Sequence, residues 1–251
     1  MFLLNCNTLI HNLTFQIIIV IIQANSKKYK FREAYMKGNA INYDNYYTNP
    51  SPIWGKSKID IELKKFLKLL DGKDVLDLGI GEGNNSIPLA ELGYNVTGID
   101  YSEKALEICK KSSSNIRLIH DDIRNFNIET NKYDLIMSRN VLHFLHKDDV
   151  LNIINNIKSG LKKNGLVYIS LFSTEDPSFS FKLDNPNFDV IENNIFYDKA
   201  TNTYISHFTK DEVLQLFCDF TTVLISDEYI MDLPHGNPHY HGLIKYIGQK
   251  L

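Results

Sequence analysis

The sequence is poor in features that would tie it to several broad classes of protein. It holds three cysteines (Cys6, Cys109 and Cys218), an odd number, widely spaced and without a C-x-x-C pair. That excludes a disulfide framework and a cysteine metal site, and it fits a reducing cytoplasm. There is no basic surplus: 27 Lys and Arg stand against 30 Asp and Glu, for a net charge of −3. Little is available to neutralise a phosphate backbone, so no nucleic-acid partner is expected. Apolar runs are short. The densest, FQIIIVII at residues 15–22, falls below the ~20 residues of a membrane helix and lacks the basic flank and cleavage site of a signal peptide. No stable membrane association is expected from it.

What is present is a globular mixture: 251 residues, 43% hydrophobic and 23% charged, enough for one large core. Residues 1–35 carry neither turn nor cap signals. We expect them to be a non-native or disordered extension, with translation starting at Met36. Codons for Arg32 and Glu33 can form a purine-rich run at the distance of a ribosome-binding site. A weak membrane anchor is the alternative for this stretch. N-terminal mass spectrometry of the native protein separates them, because a Met1 start contradicts the internal one.

From residue 57 the pattern becomes regular. Residues 57–70 read as an amphipathic helix, with Ser57 and Asp60 as a capping-box signal and Leu63, Phe66, Leu67 and Leu70 on one face. Strands are expected at 74–78, 95–100, 116–120, 133–138 and 166–172. Between them lie helices at 85–93, 102–111 and 148–161, the second capped by Ser102 and the third closed by Asn164-Gly165. Such alternation implies crossover units and a parallel sheet. Residues 173–207 break the rhythm with polar sequence, two prolines and only weak strand signals. A helix at 209–218, with Thr209 and Glu212 as a capping box, precedes strands at 220–230 and 242–249. The connection between these is too short for a crossover helix, so they should pair antiparallel. The expected fold is α/β: a Rossmann-like seven-stranded sheet with helices on both faces, its last two strands an antiparallel hairpin.

DLGIGEG, residues 77–83, stands at the end of the first strand. Glycine turns there usually present backbone N–H groups and a helix N-terminus to an anion. This one opens with a carboxylate, Asp77. The dinucleotide fingerprint G-x-G-x-x-G is also absent: counted from Gly79 its third glycine is Asn84, and counted from Gly81 it is Ser86. The spacing is G-x-G-x-G, through Gly83. A pyrophosphate beside Asp77 would meet like charge, at a cost on the order of a few kcal/mol in a semi-buried cleft. Asp100, closing the second strand, is placed to bind a ribose diol. A ligand with a ribose, an ammonium and no phosphate satisfies both acids, and S-adenosylmethionine is such a molecule.

At this point the sequence resembles the class I S-adenosylmethionine-dependent methyltransferases. VLDLGIGEG (75–83), VTGID (96–100), HDDIRNF (120–126), YDLIMSRNVLHFL (133–145) and LKKNGLVYIS (161–170) match successive family motifs in order. The resemblance covers residues 43–251, and implies a methyltransferase domain at 36–251 with 173–207 as a substrate-cover insertion. It implies that Asp77, Gly79, Gly81, Gly83, Asp100 and Tyr101 hold the cofactor. Asp122 would face the adenine amino group, Ile123 would pack on the ring, and Ser138 would line the cleft near the methionine tail. Residues 84–106 and 235–250 look most like the small-molecule branch near the tellurite-resistance and thiopurine methyltransferases. The implied acceptor is a small thiol, amine, oxyanion or metalloid.

Methyl transfer is in-line displacement, so alignment matters most and a base is needed only for a protonated nucleophile. His143, just past the fourth strand, is one base candidate, and a buried packing role is its alternative. Arg139 is a candidate for the methionine carboxylate. Tyr47 and Trp54 offer aromatic faces to a sulfonium. His235, His239 and His241 form H-x3-H-x-H, which raises a metal question. Strand alternation joins His239 to His241 but gives His235 no reason to join them, so no metal is expected, and His241 is retained as a second catalytic candidate. Two rival functions remain: a nicotinamide-dependent oxidoreductase, and a non-catalytic S-adenosylmethionine-binding module.

Overall fold

A computed structural model describes residue 47 and residues 58–113, 115–232 and 239–251. The expectations for residues 1–35, Ser57, Trp54 and His235 lie outside the described residues. The first expected helix is shorter than its sequence pattern. It runs as α1 (Ile61–Phe66) and tightens into a 3-10 turn at Leu67–Leu69. Its cap is Asp60, whose side chain accepts from Glu62 N, so the acid read as the second half of a capping box is the cap itself.

The alternating region follows closely: β1 (Asp74–Leu78), α2 (Ser86–Glu91), β2 (Asn95–Asp100), α3 (Glu103–Ser112), β3 (Arg117–His120), β4 (Tyr133–Arg139), α4 (Lys147–Gly160) and β5 (Leu161–Phe172). Ser102 caps α3 by accepting from Ala105 N. β5 begins earlier than expected because Leu161 already pairs with Tyr133 before the register shifts, and Asn164, at φ 62°, turns the chain inside it. α6 (Lys210–Leu216) carries the expected capping box in full, Thr209 Oγ1 accepting from Glu212 N and the Glu212 carboxylate from Thr209 N.

One seven-stranded sheet results, in the order β3-β2-β1-β4-β5-β10-β9. β1 to β5 pair parallel, and β9 (Phe220–Asp232) pairs antiparallel with β10 (His239–Lys250). Both of these strands are longer than expected. Alternation sends Leu76 and Leu78 to one face, against Ile153, Ile154 and Ile157 of α4. Val75 faces the other way, with Leu63 of α1, Leu89 of α2 and Cys109 of α3. Helices therefore cover both faces, and Asp77 shares the face of Val75.

The break at 173–207 is an ordered excursion. Phe208 N donates to Phe172 O at 2.8 Å and Thr174 N to Phe208 O at 3.0 Å, closing it at its base on the end of β5. It contains α5 (Pro177–Leu183) and a separate antiparallel sheet, β6 (Phe188–Glu192), β7 (Ile195–Asp198) and β8 (Thr203–Ser206). The weak strand signal has a cause: β6 is an edge strand with no buried residue, so no alternation is imposed on it. Asn194 and Asn202 turn the two hairpins with φ of 64° and 52°, a region Asn tolerates better than most residues. Ser206 Oγ donates to Leu145 O at 2.7 Å, fastening this sheet over the segment that follows β4.

Candidate active site

Strand order reverses between β1 and β4, so a crevice opens beyond their carboxyl ends. The glycine turn lies there. Gly79, Gly81 and Gly83 have φ of 81°, 54° and 84°, which a Cβ resists. Space resists it too: a Cβ on Gly79 would come within 2.3 Å of Val141 Cγ2, and one on Gly83 within 2.6 Å of Cys109 Sγ. A Cβ on Gly81 would lie 3.1 Å from the Tyr47 hydroxyl, which brings that aromatic residue over the turn.

Four of the five N–H groups of residues 79–83 are already committed. Gly79 N and Ile80 N both donate to Ile99 O, at 2.8 and 3.0 Å, and Gly83 N donates to Ile80 O at 2.9 Å. Gly81 N donates to Asp100 Oδ2 at 2.7 Å. Asp100 Oδ1 accepts from Ser102 N at 2.9 Å, so this acid ties the glycine turn to the start of α3. Burial pushes the Asp100 carboxyl up from its ordinary value, against those hydrogen bonds. The anion held by this loop is therefore the protein's own.

Asp77 is 6% exposed and accepts from Ser86 Oγ at 2.7 Å. Burial pushes its carboxyl up to about 7; Ser86 and the Arg139 charge pull it down, and Asp100 adds to the rise. Two acids close together, one reluctant to ionise, make a crevice suited to a cationic ligand and hostile to phosphate.

The other expected cofactor residues have varied commitments. Asp122 is ion-paired with Arg124, whose Nε lies 2.9 Å from both of its oxygens. Ile123 packs against the core on the α4 face. The Tyr101 carbonyl accepts from His120 Nε2 at 3.0 Å. Ser138 is fully buried and donates to Leu78 O at 3.0 Å, joining β4 to β1. Arg139 reaches Asp60 at 3.6 Å and lies 5.8 Å from the Tyr168 ring centroid. Lys245 of β10 meets the same Asp60 oxygen at 3.6 Å and Glu228 at 3.2 Å. Burial opposes ionisation of Asp60, but these two cations, together with hydrogen bonds from Glu62 N and Tyr168, outweigh it and hold its carboxyl below the usual range.

A second cluster surrounds Phe172 at the end of β5. His143 stacks on it at 3.7 Å between centroids, His241 at 5.0 Å and His207 at 5.8 Å. His143 is 1% exposed, and none of the four ring nitrogens of His143 and His207 has a hydrogen-bond partner among the described residues. Burial holds His143 well below the ordinary imidazole range and takes His207 down to about 3. Protonating either ring where it lies is unfavourable, which favours the packing alternative for His143. Lys182, nearly buried on α5, is pulled down to about 8 by burial, partly offset by Asp176 and Asp198. His239 and His241 do come together, Nε2 to Nε2 at 3.0 Å.

Sequence reasoning missed Asp60, Asp176, Lys182 and His207 as site residues. Asp176 had a readable signal, an acid directly before a proline, which is a helix start. The rest are assembled by tertiary contacts alone.

A seven-stranded sheet of this order, with its acid-bearing glycine turn at the reversal point, defines the fold of class I S-adenosylmethionine-dependent methyltransferases. The methyltransferase domain family matches residues 75–165. The chain is similar to the probable S-adenosyl-L-methionine-dependent methyltransferase TehB of Haemophilus influenzae, 38% identical over 114 residues, which are 43% of this chain and 40% of that one. The chain thus spans about two fifths of the length of this curated relative. The crystal structure of Haemophilus influenzae TehB superposes with a TM-score of 0.59 at 22% identity, covering 77% of this chain and 63% of that chain. A methyltransferase from Methanosarcina mazei gives a TM-score of 0.62 at 21% identity, covering 77% and 99%. The 1,6-didemethyltoxoflavin-N1-methyltransferase of Burkholderia thailandensis gives 0.53 at 16% identity, covering 94% and 89%. Among the described residues no helix is long and apolar enough to cross a membrane.

Proposed function

We propose that this chain transfers a methyl group from S-adenosylmethionine to a small-molecule acceptor by in-line displacement. The observation that carries the reading is the negative crevice: a glycine turn whose N–H groups are taken by Ile99, Ile80 and Asp100, beside the buried carboxylate of Asp77. The match of residues 75–165 to the methyltransferase domain supports it.

In this reading Asp77 answers the ammonium, Asp100 the ribose, and Gly79, Gly81 and Gly83 let the backbone close on an uncharged ligand surface. Tyr101, Asp122 and Ile123 bound the adenine end, Ser138 fixes the cleft floor, and Arg139 serves the methionine carboxylate. Trp54 and Tyr47 cover the sulfonium. The cofactor supplies the activated methyl group; the protein supplies alignment. Residues 173–207, closed over the end of β5, cover the acceptor. The domain runs from 36 to 251, in the cytoplasm.

The test has two arms. Isothermal titration should show S-adenosylmethionine binding and NAD not binding; the reverse overturns the reading in favour of an oxidoreductase. Release of S-adenosylhomocysteine across a panel of thiols, amines, hydroxyl compounds and metalloid oxyanions should reveal turnover. Binding without turnover on any member would leave a binding module.

A further inference from the structure

Among the contacts between the insertion and the terminal hairpin is the side-chain pair of Asp176 and His241. Asp176, whose side chain is fully buried, precedes α5 and caps it by accepting from Ser178 N at 2.8 Å and from the Ser178 hydroxyl. Its other oxygen accepts from Gly242 N at 2.8 Å and lies 3.2 Å from His241 Nδ1. Burial works against ionisation here, but the bonds from His241, Ser178 and Gly242 together outweigh it and hold the Asp176 carboxyl well below the usual carboxylate range. An ionised carboxylate can only accept, so the proton of a neutral His241 sits on Nδ1 and its lone pair on Nε2. That nitrogen meets His239 Nε2 at 3.0 Å. The tautomer makes His239 the donor and shows Nε2 of His241 acting as an acceptor.

We propose that Asp176 and His241 form a general-base dyad, and that the acceptor accordingly carries its proton at neutral pH, as a hydroxyl or a ring N–H. The proposal rests on the methyltransferase reading above. His241 stands beside Phe172, at the end of the strand next to β4, and its side chain is 21% exposed, whereas His143 and His207 are closed off. Among the described residues Asp176 and His239 touch it, His143 interacts with it electrostatically, and His207 and Lys182 act on His143 in the same cluster. His143 and His207 are held neutral by burial. Of the three histidines packed around Phe172, His241 is the one held by a carboxylate. As the acceptor atom bonds to the methyl carbon, the carbon–sulfur bond breaks with its electron pair left on sulfur. The acceptor's proton displaces the His239 N–H from the His241 Nε2 lone pair and passes to that nitrogen, the imidazolium is stabilised by Asp176, and the proton then leaves Nε2 directly to water. A thiolate or oxyanion needs none of this apparatus.

The full chain is assayed for S-adenosylhomocysteine release with catechol and benzimidazole as proton-bearing probes, and thiophenol and selenite as probes ionised near neutral pH. Turnover is expected on a proton-bearing probe. His241→Ala should lower that rate by ~100-fold or more while leaving S-adenosylmethionine affinity unchanged, and free imidazole should restore part of the rate, which repair of a merely structural defect would not do. A second readout needs no acceptor: histidine ¹⁵N spectra should show His241 as the Nδ1–H tautomer and lose that signature in Asp176→Asn, where the asparagine still caps α5. Turnover confined to thiophenol or selenite, or absent on all four probes, overturns the dyad. So does an undiminished His241→Ala rate or an Nε2–H tautomer. Failure of the wild-type chain to bind S-adenosylmethionine overturns instead the reading on which the dyad rests.

Discussion

Asp100→Ala weakens S-adenosylmethionine binding by about 1–3 kcal/mol, roughly a fivefold to 150-fold rise in Kd measured by calorimetry. Two effects act in the same direction. The ribose loses its acceptor, and Gly81 N and Ser102 N lose the carboxylate that fixes the turn against α3 at 2.7 and 2.9 Å. Asp100→Asn retains an acceptor oxygen and should fall between the variant and the wild type. Stability responds less clearly than affinity, since removing a buried acid also relieves its repulsion of Asp77. The informative comparison is therefore binding. Unchanged affinity in Asp100→Ala would place the cofactor elsewhere.

Gly79→Ala destabilises the fold by about 2–5 kcal/mol, read as a fall in the denaturation midpoint. The left-handed backbone, φ 81°, costs an alanine roughly 1–2 kcal/mol. Its methyl group would sit 2.3 Å from Val141 Cγ2 and 2.9 Å from Cγ1. Valine is stiff about χ1, so it cannot turn aside cheaply, and overpacking adds roughly 1–3 kcal/mol. A wild-type midpoint in this variant would mean that the turn is looser than the structure shows.

Much of the sheet was legible because its strands are buried on both faces and bounded by turns. β1 and β2 have the expected ends, and Ser102 and Thr209 cap the helices read for them. What escaped was structure whose signal is not periodic. β6, exposed along its length, gave no alternation, and the insertion's sheet was invisible as such. The glycine turn and its two acids could be read as a site because their chemistry is local in the chain. The Phe172 cluster could not: His143, Asp176, Lys182, His207 and His241 come from four separate segments, and only their packing reveals which rings are closed off and which is held by a carboxylate. His143 illustrates the point, since its position after β4 suggested chemistry while its burial, visible only in the fold, favours packing.

The central claim is that the crevice is built for a cation. Burial raises Asp77 to about 7, above its ordinary value of 3.8. A raised carboxyl contributes stability that is complete below the ordinary value and is lost as pH rises through about 7, so this group destabilises the ligand-free protein increasingly from mildly acid to neutral pH. An ammonium beside it favours the ionised form and drives off the proton. Titration of S-adenosylmethionine near pH 7, in buffers of different ionisation enthalpy, should therefore show release of a substantial fraction of a proton, on the order of one half, shrinking as pH rises. A buffer-independent enthalpy, or proton uptake on binding, would contradict the claim.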